Sequence, residues 1–251
     1  MDFVEMEGLG NDFIVVEGPV ALSAEAITRW CDRRFGVGAD GVLEVTPVSS
    51  DRIRMRYWNA DGGEAEMCGN GLRCLARLAV NRGWVTSNEM VVETAAGDLP
   101  ATVRPDGLVR ALVGTPRLAG DPFEAGGVLV HPVRVGNPHA VVFVDDADGA
   151  PVDVLGPILE HHETFPDRAN VEFVQPLDRA SIRMRVWERG VGETMASGTG
   201  ATAAAFAAMT YREAGSAVSV DLRGGELRID IVDGLAWMTG PGRAVFTGTL
   251  A

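Results

Sequence analysis

Lysine is missing altogether: all 22 basic residues of this 251-residue chain are arginine. That absence removes whole reaction classes. Pyridoxal phosphate needs a lysine for its Schiff base, and the Walker phosphate loop needs one of its own. Any amino-acid chemistry here must proceed without pyridoxal. Positive charge is scarce as well, 22 basic residues against 35 acidic ones for a net charge of −13. No nucleic-acid partner is expected, because phosphate binding is driven by clustered positive charge. Cysteine is limited to Cys31, Cys68 and Cys74, an odd count with no paired spacing. Reduced thiols are expected rather than a disulfide scaffold or a zinc site. Long apolar runs are lacking too. The longest charge-free one, around Ala201–Met209, is too short to cross a bilayer. No basic start with an apolar core follows Met1, so a cytoplasmic protein without a membrane partner is expected.

What is present is enough for a packed core, with 46% apolar and 23% charged residues. The length suits one large domain or two modest ones. Self-similarity favours two. Arg54-Met-Arg-Tyr-Trp58, followed by Gly-Glu-Ala-Glu-Met-Cys68-Gly-Asn-Gly71, recurs about 129 residues later. The second copy is Arg183-Met-Arg-Val-Trp187, followed by Gly-Glu-Thr-Met-Ala-Ser197-Gly-Thr-Gly200. Two further echoes keep nearly the same offset: Gly10-Asn11 with Gly136-Asn137, and Gly97-Asp-Leu99 with Gly225-Glu-Leu227. The pattern predicts two copies of one α/β unit related by a pseudo-twofold axis.

Within each copy, alternating runs such as Ile53–Trp58, Val91–Thr94, Ile182–Trp187 and Leu227–Val232 read as strands. A helix capped by Asn70 or Gly71 carries Leu72, Leu75, Ala76 and Ala79 inward and closes at Gly83. Its counterpart is capped by Thr199 and runs through the Ala-rich Ala201–Met209. Another helix is expected over Ser23–Arg33. The expected halves are 1–115 plus 241–251, carrying Cys68, and 116–240, carrying Ser197. The closing segment Gly240–Leu250 has no counterpart ahead of the first repeat and is expected to cross back to the N-terminal half.

Two motifs carry little. Gly36-Val-Gly38-Ala-Asp-Gly41 has the dinucleotide fingerprint, but a helix precedes it and a strand follows, the reverse of the required context. His161-His162-Glu163 reads as exposed surface. The turn Met67-Cys68-Gly69-Asn70-Gly71 is different. A thiol just before a helix meets the positive end of the macrodipole, which lowers its pKa from about 8.5, and the N–H groups there form an anion site. On its own such a cysteine would read as a small buried apolar residue. The repeat would aim a second helix start, Ser197-Gly198-Thr199, at the same cleft. Two opposed helix ends suit a carboxylate, with one proton-transfer group on each face of the α-carbon.

The chain resembles the diaminopimelate epimerase family, pyridoxal-independent isomerases of lysine and cell-wall precursor synthesis, essentially end to end. The resemblance is carried by Gly8-Leu-Gly-Asn-Asp-Phe13, Arg34-Phe-Gly-Val-Gly-Ala-Asp40, Asn59-Ala-Asp-Gly-Gly-Glu-Ala-Glu-Met-Cys-Gly-Asn-Gly71, Gly136-Asn-Pro-His-Ala140, Asn170-Val-Glu-Phe-Val174 and Glu188-Arg-Gly-Val-Gly-Glu-Thr194. It implies two pseudosymmetric α/β halves, each a curved, mostly antiparallel sheet around a central helix, a small amino-acid substrate, no cofactor or metal, and a homodimer. By position it makes Cys68 one of two catalytic thiols, with Glu188 and His139 assisting. Gly69, Asn70, Gly198 and Thr199 would hold the reacting carboxylate, and Asn11, Asn59, Asn137, Asn170 and Arg189 would bind the rest of the substrate. A planar Arg189 fork suits a carboxylate.

Two departures stand out. Glu7 occupies a position where many members have histidine, and Ser197 stands where the second catalytic cysteine belongs. A hydroxyl is a weaker acid than a thiol and a poor base at neutral pH. The open accounts are an epimerase whose cysteine has been replaced, by design or in nature, a single-thiol racemase of another amino acid, a hydroxyproline-type dehydratase, and a non-catalytic amino-acid-binding protein.

Overall fold

A computed structural model describes residues 1–250. The protein is α/β and divides into two units, Met1–Ala111 with the closing segment from Gly240, and Leu112–Thr239. The first contains β1 (Asp2–Gly8), β2 (Asn11–Glu17), α1 (Ala24–Cys31), β3 (Gly41–Ser49), β4 (Arg52–Asn59), β5 (Glu64–Ala65), α2 (Gly69–Arg82), β6 (Glu89–Thr94), β7 (Gly97–Val103) and the start of β8 (Val109–Gly114). The second repeats that order after two short strands, β9 (Arg117–Leu118) and β10 (Phe123–Ala125). It contains β11 (Val128–Val135), β12 (Asn137–Phe143), α3 (Val152–Glu160), β13 (Asn170–Pro176), β14 (Ser181–Glu188), β15 (Gly192–Thr194), α4 (Gly198–Tyr211), β16 (Ala217–Leu222), β17 (Gly225–Val232) and β18 (Leu235–Gly240).

Pairing repeats as faithfully as order. In the first unit β1 and β2 are antiparallel, β2 and β3 parallel, β3 and β4 antiparallel, and β4 and β6 parallel. In the second the same four relations hold for β11, β12, β13, β14 and β16. Each parallel step needs a crossover, and helices supply it. The register agrees residue by residue: Phe13 lies opposite Gly41, and His139 opposite Asn170.

The two crossover helices after β4 and β14 sit at the centre of their units. Helix α2 touches β1, β2, β3, β4, β6 and β7, so the sheet must curve around it. Leu72, Leu75, Ala76 and Ala79 are buried as their spacing predicts, and Cys74 joins the same core. Helix α4 is apolar nearly all round, with Ala201, Ala203, Ala204, Ala205, Ala207 and Ala208 all buried. A helix of that composition belongs in an interior. Its small side chains let the surrounding strands approach closely.

Two sequence expectations need correction. The N-caps are Cys68 and Ser197 themselves, not Asn70, Gly71 or Thr199. Helix α4 also begins earlier and ends later than Ala201–Met209. The closing segment forms a strand, Arg243–Thr249, which pairs antiparallel with β1. As expected it returns to the N-terminal half, and it occupies the place that β9, antiparallel to β11, takes in the second unit. Two residues were too few to show a repeat in sequence.

The loop at Gly36 is shaped by packing. A Cβ there would lie 2.1 Å from the Arg29 carbonyl oxygen at the end of α1. Among the described residues no helix is long and apolar enough to cross a membrane.

Candidate active site

At the start of α2, Cys68 keeps an extended backbone (φ −138°, ψ 114°), and its Sγ accepts from the Gly71 N–H at 3.4 Å. The thiol is half-buried and lies 3.9 Å from Asn11 Oδ1. That same oxygen accepts from Asn70 Nδ2 at 3.2 Å. Asn11 Nδ2 donates to Asp40 at 2.6 Å. Asp40 is gripped in turn by Arg33 at 2.6 Å, and Arg33 also forks onto Asp12 with two bonds of 2.8 Å. Burial alone would raise the Asp12 pKa, yet the Arg33 fork holds it below the usual carboxylate range. Thus Asn11, Cys68 and Asn70 form one cluster.

Local backbone explains why Asn11 stands there. Leu9 (φ 61°) and Gly10 (φ 82°) both take left-handed conformations, as the tight I′ hairpin between β1 and β2 requires. In the second unit Gly136 alone (φ 75°) makes the turn and delivers Asn137 to the same position. Glu7 accepts from the Gly10 N–H at 3.1 Å and pairs with Arg243 at 3.3 Å. It is a turn-stabilising residue here. Asn59 is exposed at the end of β4, where its carbonyl accepts from the Gly62 N–H.

Ser197 repeats the Cys68 arrangement. Its backbone is extended (φ −134°, ψ 121°), and Oγ accepts from the Gly200 N–H at 3.2 Å. Unlike the thiol, the hydroxyl is almost fully buried, at 4% exposure. Gly198 packs beneath Met238, and Thr199 is half-buried. Gly200 cannot be larger: a Cβ would lie 2.9 Å from Glu172 Oε1 and 3.1 Å from Ser197 Oγ. His139 is fully buried, with Nδ1 2.7 Å from Glu172 Oε1 and Nε2 2.9 Å from Asn137 Oδ1.

The remaining residues gather at the β14–β15 turn. Buried Asn170 accepts the Arg189 N–H at 2.8 Å, and Arg189 itself is exposed, its Nη1 donating to the Asp167 carbonyl at 2.7 Å. Glu188 accepts from Thr194 Oγ1 at 2.5 Å. Buried Glu160 braces the turn, accepting from Trp187 Nε1 at 2.7 Å and the Gly190 N–H at 2.9 Å. Sequence reasoning missed Glu160, Glu172 and the Arg33 network. The one signal available was Glu172 inside the apolar run Asn170–Val174, where an unbalanced charge marks a buried polar role.

Chemically, each helix start offers a side chain held beside N–H groups that lack intrahelical partners, a place for an anion. The other two thiols are unsuited to proton transfer near neutral pH: burial pushes both Cys31 and Cys74 up to about 12. His161 contacts the Pro157 carbonyl and His162 stacks on Phe123. Among the described residues no group of three or more His, Cys, Asp or Glu is placed to hold a metal ion.

Comparison with known proteins adds a family. The sequence profile of the family described as Diaminopimelate epimerase matches residues 3–119 and 132–245. Diaminopimelate epimerase from Moorella thermoacetica is 46% identical over 275 aligned residues, covering 99% of this chain and 98% of that one. The Nitrosomonas europaea enzyme of the same name is 44% identical over 271, covering 100% and 98%. Among solved structures, a hydroxyproline epimerase from Agrobacterium vitis aligns with a TM-score of 0.73 at 14% identity, covering 99% and 91%. A phenazine biosynthesis protein of the PhzF family from Bacillus anthracis gives 0.71 at 18%, covering 100% and 99%. At such low identity these two speak to the fold: two pseudosymmetric α/β halves.

Proposed function

The chain belongs to the diaminopimelate epimerase family, and from that premise we propose how its residues divide the work of isomerising diaminopimelate. Cys68 is the thiol that removes and returns the α-proton, and Ser197 is the group addressing the opposite face of the same carbon. The N–H groups at Gly69 and Asn70, and at Gly198 and Thr199, hold the reacting carboxylate. Glu188 and His139 assist proton movement. Asn11, Asn59, Asn137, Asn170 and Arg189 bind the remainder, with Arg189 taking the distal carboxylate.

One observation carries the reading: Cys68 and Ser197 occupy the same N-cap position, each accepting from the N–H three residues ahead. A proton-transfer atom is thereby fixed beside the positive end of a helix, where a developing carbanion-carboxylate is stabilised. No cofactor is needed for that step. The two atoms differ in kind. The thiol is the competent acid–base group, and the buried hydroxyl returns protons poorly, so proton exchange outpaces inversion. Family membership points to a cytoplasmic homodimer, whose assembly state sedimentation would test.

The deciding experiment is α-proton exchange with LL- and meso-diaminopimelate in deuterated buffer, with Cys68→Ala beside the parent. Loss of exchange in a folded Cys68→Ala variant is expected. Exchange near the parental rate would remove Cys68 from the mechanism.

A further inference from the structure

The Asn11 side chain has one orientation, and a carboxylate sets it. Asn11 Nδ2 lies 2.6 Å from Asp40 Oδ2, and the Asp12 N–H is directed at the same oxygen from 3.3 Å. Arg33 Nη2 holds the other oxygen, Oδ1, at 2.6 Å. Each of these neighbours brings a hydrogen, and a carboxylate paired with a guanidinium brings none, so Asp40 only accepts. The reverse arrangement, a protonated Asp40 donating to the amide oxygen, would forfeit the ion pair with Arg33. The NH₂ group of Asn11 therefore faces Asp40, and its Oδ1 faces the other way. There it accepts from Asn70 Nδ2 at 3.2 Å and lies 3.9 Å from Cys68 Sγ.

The fold does not require this grip. Gly41 lies opposite Phe13 in the first unit and Asn170 opposite His139 in the second, so Asp40 corresponds to Ala169 as Asn11 does to Asn137. Ala169 is fully buried and carries no carboxylate, yet the same turn and the same parallel step form around it. In the first unit the Asp40 backbone is tied down separately, its N–H donating to the Asp12 carbonyl at 3.0 Å. The carboxylate is thus an addition peculiar to the unit that carries the thiol.

We propose that Asp40 is a positioning residue: by engaging the Asn11 NH₂ group it turns the amide oxygen toward Cys68, where that oxygen accepts a hydrogen bond from an ammonium group of the bound amino acid. Diaminopimelate carries both ammonium and carboxylate groups, and an asparagine free to turn over would serve either kind. Held by Asp40, Asn11 serves the ammonium and rejects the carboxylate. The assignment rests on the reading of Asn11 as a substrate-binding residue, and it gives Asp40 a role that the reading lacked.

The test is equilibrium binding of diaminopimelate to Asn11→Ala, Asp40→Asn, the two combined, and the exchanged pair N11D/D40N. Asn11→Ala and Asp40→Asn are each expected to weaken binding about tenfold, the loss of one hydrogen bond to a charged ligand. Combined, they are expected to weaken it no more than Asn11→Ala alone. In N11D/D40N the side chain at position 11 can only accept and the one at position 40 can donate, so binding lost in Asp40→Asn is expected to return. A merely structural contact would not predict that return. If Asn11 instead donates to a substrate carboxylate, N11D/D40N sets two carboxylates against each other and binds more weakly than Asp40→Asn. That result, or losses that multiply in N11A/D40N, would overturn the proposal. Should Asp40→Asn fail to fold, the exchanged pair, which keeps one carboxylate and one amide, is compared with Asn11→Ala. NMR of the folded parent adds a readout free of substitution: one Asn11 Nδ2 hydrogen is expected to exchange slowly with solvent, and two fast-exchanging hydrogens would overturn the grip. Absence of diaminopimelate binding by the parent would instead count against the functional reading, and the NMR result would still decide whether Asp40 holds the amide.

Discussion

Glu5 gives the most quantitative test of how the first unit is held. It sits on β1 at 4% exposure, and its Oε2 has no hydrogen-bond partner. Burial raises its pKa, with Asp12 and Asp40 adding to the rise and Arg33 opposing it, from 4.5 to about 7. A carboxyl whose folded pKa is raised contributes stability that is fully present below about pH 4.5 and is lost as pH rises through 7. A rise of that size corresponds to about 3 kcal/mol at full ionisation, since each pH unit is worth about 1.4 kcal/mol. Glu5→Gln removes the titration. Unfolding free energies from urea denaturation of both proteins at pH 4.5 and pH 8.5 give the difference at each pH. The variant is expected to gain up to about 3 kcal/mol relative to the parent between those values, whatever constant offset the amide introduces. A difference that stays flat with pH, or that falls, would show that Glu5 is not a desolvated acid and would refute the reasoning.

Three further outcomes follow from the same geometry. Glu160→Ala leaves Trp187 Nε1 and the Gly190 N–H without their acceptor, so a loss of about 1–3 kcal/mol in denaturation is expected, with weaker diaminopimelate binding because Arg189 lies on the turn it braces. His131 is buried between Phe143 and Tyr211; burial and the nearby Arg212 lower its pKa from 6.5. Its neutral form is the native one, so stability is expected to fall as pH drops below about 6.5, and His131→Leu should flatten that part of the thermal-melting profile. Gly200→Ala drives a methyl group into Glu172 Oε1 and Ser197 Oγ, and a cost of about 1–3 kcal/mol is expected in chemical denaturation.

The repeat was readable because a strand tolerates no slip of register when its neighbours are buried, so the spacing from Trp58 to Cys68 and from Trp187 to Ser197 was kept. Most site residues lay in long continuous motifs and were equally visible. The caps were misassigned because asparagine and threonine are commoner N-caps than cysteine, and the actual caps are the reactive residues themselves. Glu172 and Glu160 were passed over for a tertiary reason. Both faces of β13 are buried over Asn170–Val174, so strand alternation could not say which way Glu172 pointed. Glu160 ends a helix, where a carboxylate in sequence reads as solvated, and its partners come from residues 168, 187 and 190.

We propose that the Cys68 thiol and the Ser197 hydroxyl act on diaminopimelate with unequal competence. The most direct measurement of that inequality is the ratio of solvent-deuterium incorporation to inversion for each diaminopimelate diastereomer, in the parent and in Ser197→Cys. In the parent, one diastereomer is expected to exchange faster than it inverts and the other to exchange very slowly. In Ser197→Cys, inversion should become fast in both directions and the ratios should converge. Equal exchange of both diastereomers by the parent, or an inversion rate that Ser197→Cys leaves unchanged, would contradict the account.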